Sequence, residues 1–377
     1  YTGAKHAVAV NSGTSALQLA IRALGIERGA EVVLPSFTFS ALLNVLFLEG
    51  LRPRFVDLDP LTYNCSAQAI LEAITPETRL ILAVHTFGFP ADVQAIKEGV
   101  RASKNRIHII EDSCEALGAE VHGRKAGTLA DAGLFAFYPN KQITTGEGGM
   151  LVTSDENVAR KAAVLRNQGR DPSLGWDSHA EVGFSYRISD INCALGISQL
   201  RRIEDTIAKR QKVAELYDRE LEGIREVIRP PLTSEIGRMS WFVYPVQLAA
   251  EFGASDRDRV CQAMSRRGIA TGRYFAPLHR QPVFLRSGNS TSTTEGTEFH
   301  RGNATEENTT GKNAREGNAE QRTSKDATES PMPTLPNTEF VADRVLQLPF
   351  FNELTEAEIR EVCTVLAEAI HELRRKM

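Results

Sequence analysis

The sequence predicts an α/β chain: a mainly parallel sheet flanked by helices, followed by a smaller C-terminal α+β domain. Two observations carry that expectation. From residue 14 to about 150, short apolar runs alternate with segments of helical spacing, the pattern of a parallel sheet covered on both faces. Within that region Lys141 sits in a polar, Gly-rich loop, Phe137 to Gly149, between two short apolar runs. Such a loop presents an amine rather than packing it. Taken alone, Lys141 reads as an ordinary solvated lysine; the rest of the chain changes that reading.

The elements follow in order. Thr14 to Leu24 has helical spacing, and Glu31 to Leu34 is a short strand closed by Pro35. A helix over Ser40 to Leu48 and a strand over Arg54 to Asp57 come next. A further cycle gives a strand at Leu80 to Val84, a helix after Pro90 and a strand at Ile107 to Ile110. Leu134 to Tyr138 and Met150 to Thr153 are two more strands, flanking the lysine loop. A long helical region runs from Ser189 through Ile224. Beyond it, a strand at Trp241 to Leu248 and helices at Asp256 to Arg267 and Glu356 to Lys376 form the smaller domain. The expected division is a large cofactor-binding domain over 1–205 and a small domain over 206–377. Between Ser287 and Ser330 the only large apolar residue is Phe299, so too little surface can be buried to offset ordering entropy. A disordered surface insertion is expected at about 287–333, and its Asn-x-Ser/Thr triplets at Asn289, Asn303 and Asn308 are products of composition.

Composition narrows the function. A length of 377 residues allows one large domain and one smaller one. The 42% hydrophobic and 24% charged fractions are those of a globular protein, and a net charge of -4 gives no electrostatic reason for a nucleic-acid or anionic-membrane partner. No apolar run approaches a membrane span. Cys65, Cys114, Cys193, Cys261 and Cys363 are scattered without a CxxC pair, which suggests reduced thiols in a cytoplasmic protein. Glu111, Asp112 and Glu115 beside Cys114 would raise its pKa, so it reads as a packing residue rather than a nucleophile. Metal-ligand spacing, GxGxxG and GxxxxGK[ST] are all missing from the sequence.

The chemistry-bearing residues stand where such a sheet binds ligands, beyond the carboxyl ends of its strands. Asn11-Ser12-Gly13-Thr14-Ser15-Ala16-Leu17 puts small and hydroxyl residues before a helix, which is either an anion site or plain N-capping. Asp112 is expected just past a strand end, where it is either a cap or a partner for a protonated ring nitrogen. Phe37 and Phe39 follow another strand end and offer an aromatic face, or core packing. Phosphate cradle, stacking ring, ring-nitrogen partner and Schiff-base lysine are together the parts of a pyridoxal phosphate site.

These residues resemble the DegT-type nucleotide-sugar aminotransferases, a branch of the fold-type I pyridoxal phosphate enzymes. Besides the segments above, the match runs through Pro35-Ser36-Phe37-Thr38-Phe39, Glu111-Asp112-Ser113-Cys114-Glu115-Ala116, Phe137 to Gly149 and Gly183-Phe184-Ser185-Tyr186-Arg187. Ser189-Asp190-Ile191, Tyr274-Phe275-Ala276-Pro277-Leu278-His279 and Leu348-Pro349-Phe350-Phe351 continue it in the family's order. The resemblance implies that Lys141 joins the cofactor's aldehyde and that Asp112 pairs with the ring nitrogen. By the same resemblance Phe39 stacks on the ring, while Gly13, Thr14 and Ser15 hold the phosphate. Glu115 falls where many relatives have Gln near the ring hydroxyl. Ser185 would reach the phosphate from the partner subunit of a homodimer. Tyr274, Arg187 and His279 are substrate candidates, His279 reading equally as a loop histidine.

Three departures stand out. Ala136 replaces a phosphate-binding Ser of many relatives, and Ser185 replaces an Asn. Relatives also carry a further N-terminal segment before the position of Tyr1, so the resemblance implies a truncated start. The implied activity is ping-pong transfer of an amino group from glutamate, through pyridoxamine phosphate, to a nucleotide-linked keto sugar, a 4-keto-6-deoxy hexose by the likeness of Thr144 to Gly149. The alternatives are a sugar dehydratase using pyridoxamine phosphate, disfavoured because those relatives replace the lysine with His, and a non-catalytic cofactor-binding regulator.

Overall fold

A computed structural model describes residues 1–375 except 102, 104, 176–177 and 288–332. The expected insertion at about 287–333 therefore lies almost wholly outside the described residues. The chain runs β1 (His6–Val10), α1 (Gly13–Ala23), β2 (Glu31–Pro35), α2 (Ala41–Leu48), β3 (Arg52–Val56), α3 (Ala67–Glu72), β4 (Thr78–Val84), α4 (Val93–Val100) and β5 (His108–Asp112). A short hairpin, β6 (Glu120–Val121) and β7 (Arg124–Lys125), leads to β8 (Ala132–Ala136), β9 (Gly149–Thr153) and α5 (Glu156–Arg166). The seven-stranded sheet has the order β1-β9-β8-β5-β4-β2-β3. The five strands from β8 to β3 are parallel to one another; β9 is antiparallel to β8, and β1, antiparallel to β9, runs in the direction of the five.

Side chains alternate across this sheet, and both faces are buried. Val32, Leu34, Leu80, Leu82 and Ile110 pack on one side with Leu17 and Ile21 of α1. Val33, Ile81, Ala83 and Ile109 pack on the other with Val93 and Ile96 of α4. Two-sided burial is why these strands are continuous apolar runs rather than alternating ones.

After α5, the helices α6 (Asp190–Leu200) and α7 (Ile203–Glu220) replace the single helical region expected over Ser189–Ile224; the chain breaks at Arg201–Arg202. The boundary expected at 205/206 falls inside α7. A second sheet of β10 (Val227–Ile228), β11 (Tyr244–Leu248) and, late in the chain, β12 (Val345–Leu348) is antiparallel. Around it lie α8 (Ala254–Arg266), α9 (Pro282–Arg286), α10 (Pro336–Ala342) and α11 (Glu356–Arg374). Thr355 and Glu358 form a reciprocal cap at the start of α11. This core is continuous with the first part of the chain, because Phe37, Tyr63, Phe87 and Phe89 belong to the same cluster as Trp241, Tyr244 and Leu366.

Three further differences from expectation have physical reasons. β1 is too short and too weakly apolar to stand out, and it gains its place only by pairing His6–Val10 against Thr153–Gly149. β11 begins at Tyr244 rather than Trp241 because the backbone of residues 240–242 bonds to the 87–88 loop instead. Asp112 is the last residue of β5, not the first beyond it, held between Val84 and Leu134. Among the described residues no helix is long and apolar enough to cross a membrane. All five cysteines are free thiols.

Candidate active site

Four strand ends and one helix start meet at one edge of the large sheet. Beyond Pro35, Val84, Asp112 and Ala136 lies a cavity of about 420 Å³, lined by Gly13, Thr14, Phe39, Asp112, Glu115 and Lys141 among others. Two larger depressions, of about 750 and 700 Å³, share Arg106 and His108 at the other end of β5 and gather no such set.

Strand alternation divides two adjacent carboxylates. Asp112 turns to the cavity, where Oδ1 accepts the N–H of Cys114 at 3.0 Å. Glu111 turns to the opposite face and is fully buried. Its Oε1 accepts the N–H groups of Leu129 and Ala130, at 2.6 and 2.7 Å, and its Oε2 accepts that of Gly127 at 2.7 Å. The same Oε2 lies 3.2 Å from Nε2 of His85. Because Nδ1 of His85 accepts the N–H of Ala91 at 2.9 Å, the ring proton sits on Nε2 and points at Glu111. The His85 N–H also donates to the carbonyl of Asp112 at 3.1 Å. Glu111 thus anchors the loop behind the strand end that displays Asp112.

The start of α1 supplies backbone donors. Ser12 caps the helix by accepting the N–H of Ser15 at 3.1 Å, which leaves the earlier N–H groups facing outward. Gly13 is needed for close packing, since a Cβ there would lie 2.9 Å from Cβ of Ala136 and 3.0 Å from Sγ of Cys114. Ser15 itself is turned away: its hydroxyl donates to Oδ1 of Asn11 at 2.7 Å and it is not on the cavity wall, whereas Ser12 is. Phe39 is 59% exposed on that wall, while Phe37 is buried against Tyr63, Phe87 and Phe275.

Lys141 comes from a loop closed by two bonds, Phe137 N–H to Gly148 O and Thr145 N–H to Phe137 O, each at 2.9 Å. Its Nζ lies 3.4 Å from Oε1 of Glu115 and 4.1 Å from the centre of the Phe242 ring. Burial pushes the Glu115 carboxyl up from its ordinary value, and the charge of Lys141 opposes that shift. Burial and the nearby Asp112 push the Cys114 thiol well up, so it is a poor nucleophile in this wall.

Besides Ser15, Arg187 and His279 do not line this cavity, and Ser185, expected from the partner subunit, does not line that of its own chain. Arg187 is exposed and donates to Oδ1 of Asn167 at 2.9 Å, and Ser185 is exposed beside it. His279 is 1% exposed and joins the two parts of the chain: its backbone N–H donates to Ser36 Oγ at 3.1 Å, and that oxygen lies within hydrogen-bond distance of Nδ1, at 2.7 Å. It is not on the cavity wall, and these bonds tie it to the end of β2. Tyr274 does line the cavity. Phe242, Tyr138, Asn140 and Glu147 line it as well and were not singled out in the sequence. Phe242 carries no spacing signal, being one apolar residue in an apolar run.

The buried His279 gives a testable pH effect. Burial lowers its pKa below the ordinary 6.5, outweighing Glu339. As pH falls below 6.5 the unfolded chain therefore binds a proton that the folded chain refuses, and stability declines until folded His279 also titrates. Thermal melts from pH 8 to 5 should show that decline, and His279→Gln should flatten it by up to about 1.4 kcal/mol per pH unit. An unchanged slope in the variant would refute the assignment.

Comparison with known proteins decides which family owns this arrangement. Residues 1–302 match the DegT/DnrJ/EryC1/StrS aminotransferase family. The chain belongs to that family. As a DegT/DnrJ/EryC1/StrS aminotransferase it is 39% identical over 284 residues to the GDP-perosamine synthase of Caulobacter vibrioides, covering 75% of this chain and 76% of that protein. It is 36% identical over 288 residues to the dTDP-4-dehydro-2,3,6-trideoxy-D-glucose 4-aminotransferase of Saccharopolyspora spinosa, covering 74% and 73%. The PLP form of Spr1654 from Streptococcus pneumoniae matches with a TM-score of 0.81 over 99% of this chain and 89% of its own, at 22% identity, which shows a shared fold. The resemblance of the DegT-type motifs and the fold-type I architecture expected from them both stand.

Proposed function

We propose that this DegT-family aminotransferase moves an amino group from glutamate to a nucleotide-linked 4-keto-6-deoxy hexose, with pyridoxal phosphate as its cofactor. The observation that carries this reading is the convergence of Lys141 and Asp112 on one cavity with the start of α1 and the ring of Phe39. The residues fit the group: Gly13 permits close approach to the helix start, and the outward N–H groups there suit a phosphate. When bound, pyridoxal phosphate supplies an aldehyde to carry the amino group and a ring that withdraws electrons.

The protein's own residues do the rest. Asp112, as a carboxylate, holds a proton on the ring nitrogen. Phe39 covers the ring face. Lys141, once its amine is free, takes a proton from the carbon that loses it and returns it to the carbon that gains it. Tyr274 and the half-exposed Tyr138, which line the cavity, are the proposed contacts for the sugar. The named activity of the Saccharopolyspora relative favours carbon 4. Glutamate added to the cofactor-loaded protein should shift its absorbance from the aldehyde band to the amine band and yield 2-oxoglutarate. Failure with every amino donor would remove the aminotransferase reading.

A homodimer with shared sites belongs to the same proposal, with Ser185 of each subunit serving the other's cavity. What supports it is α6, which has no buried residue although it carries Ile191, Leu195 and Ile197, exposed by 83, 44 and 56%. Val182, close by in the chain, is 84% exposed. An apolar helix left this bare needs a covering surface. Ile191→Asp should convert a dimer to a monomer in light scattering; a wild-type monomer would contradict the proposal.

A further inference from the structure

In that reading Lys141 joins and leaves a carbonyl in each turnover, so its freed amine needs a defined resting place. Resting on it, we propose that Glu115 and Phe242 form a holding site for the Lys141 side chain, keeping the released amine in place and aimed into the cavity. Nζ stands 3.4 Å from a carboxylate oxygen and 4.1 Å above a ring face, two negative surfaces that favour a cation between them.

Both partners are fixed by the surrounding backbone. Oε2 of Glu115 accepts the N–H of Phe87 at 3.0 Å, which leaves Oε1 to Lys141. Phe242 belongs to a stretch, residues 240–242, that is tied along its whole length. The N–H groups of Ser240 and Phe242 donate to the carbonyls of Gly88 and Phe87, at 3.0 and 3.1 Å. Gly88, with φ +92°, leaves no room for a side chain, because a Cβ would fall 1.8 Å from the Ser240 carbonyl oxygen. That carbonyl also accepts from Nε2 of Gln142 at 3.0 Å. The next two, of Trp241 and Phe242, accept from Nη1 of Arg210 at 3.3 and 3.1 Å.

Arg210 is buried, faces no carboxylate within ion-pair distance among the described residues, and burial lowers its pKa to about 10. Its guanidinium also lies over the Phe350 ring, 5.3 Å from the centroid; a buried cation without a carboxylate partner is an expensive device, and here its hydrogen bonds fix the backbone that carries the Phe242 ring. Gln142, next to Lys141 in the chain, also donates to the carbonyl of Glu115 at 2.6 Å. One carboxamide therefore ties the lysine loop to both halves of the holding site.

The test follows Lys141 itself rather than turnover. The full chain without added pyridoxal phosphate is treated with formaldehyde and cyanoborohydride at pH 8, and modification of each lysine is timed by peptide mapping. Losing a partner frees the amine from its resting place, so Lys141 should react about 2- to 30-fold faster in Phe242→Leu. It should react about tenfold faster in Glu115→Gln. Phe242→Tyr, which keeps a ring face, should restore the wild-type rate. The other titratable groups on the cavity, Asp112, Cys114, Tyr138, Glu147 and Tyr274, are common to all variants. Lys161 on α5 serves as the internal reference, its constant rate reporting an intact fold. Wild-type reactivity of Lys141 in both Phe242→Leu and Glu115→Gln would overturn the holding site. If wild-type protein still converts with glutamate, the aminotransferase reading survives that failure; loss of donor conversion with the expected lysine rates would sink the aminotransferase reading alone.

Discussion

Lys141→Ala is expected to lower amino transfer by at least about 10³-fold, because a single amine serves both as the attachment point and as the proton carrier. No other lysine lines the cavity among the described residues, so nothing can substitute. The fold should persist. Lys141 lies on a loop whose closing bonds are backbone to backbone, and among the described residues its amine interacts with Glu115 and Phe242. Glu115 would lose the cation that opposes its burial, and its carboxyl would move further up. Turnover assays beside circular dichroism check both halves. A variant that keeps more than a tenth of wild-type turnover would contradict the role. A non-catalytic regulator would instead keep ligand-dependent behaviour with no turnover to lose.

Glu111→Gln should cost about 2–6 kcal/mol of stability, although it changes one atom in a residue that never touches the cavity. Four donors converge on this carboxylate: the N–H groups of Gly127, Leu129 and Ala130, and Nε2 of His85. A carboxamide has one oxygen for them, so its NH₂ group must face two donors in a fully buried site. His85 cannot relieve the conflict by changing tautomer, because its Nδ1 already accepts from Ala91. Each stranded buried donor costs about 1–3 kcal/mol. Urea unfolding of the variant measures the sum. A loss below about 1 kcal/mol would mean the loop finds other partners. The damage should also spread to Asp112, whose carbonyl is tied to the backbone N–H of His85, as weakened retention of cofactor.

Which parts were legible in the sequence follows from what kind of physics fixes each. The parallel strands were visible because two-sided burial writes continuous apolar runs, as in Leu80 to Val84. Lys141, Asp112, Phe39, Gly13 and Thr14 were visible because strand ends and helix starts are local features, and the sheet brings such ends together. Ser15 was misplaced because a capping motif does not reveal which of its hydroxyls turns inward. Phe242 was invisible, since its position depends on bonds from Gly88, Gln142 and Arg210, each remote in sequence. His279 read equally as a substrate contact or a loop histidine, because its neighbour Ser36 lies 243 residues away in sequence. β1 depends likewise on a partner strand more than a hundred residues on.

The central claim is that the amine of Lys141 is the one that binds the aldehyde of pyridoxal phosphate. Borohydride reduction of the cofactor-loaded protein, followed by peptide mapping, reads this directly. The pyridoxyl mass should fall on the peptide that contains Lys141 and should vanish from it after prior treatment with glutamate. The same mass on a different lysine, or on none, would contradict the account.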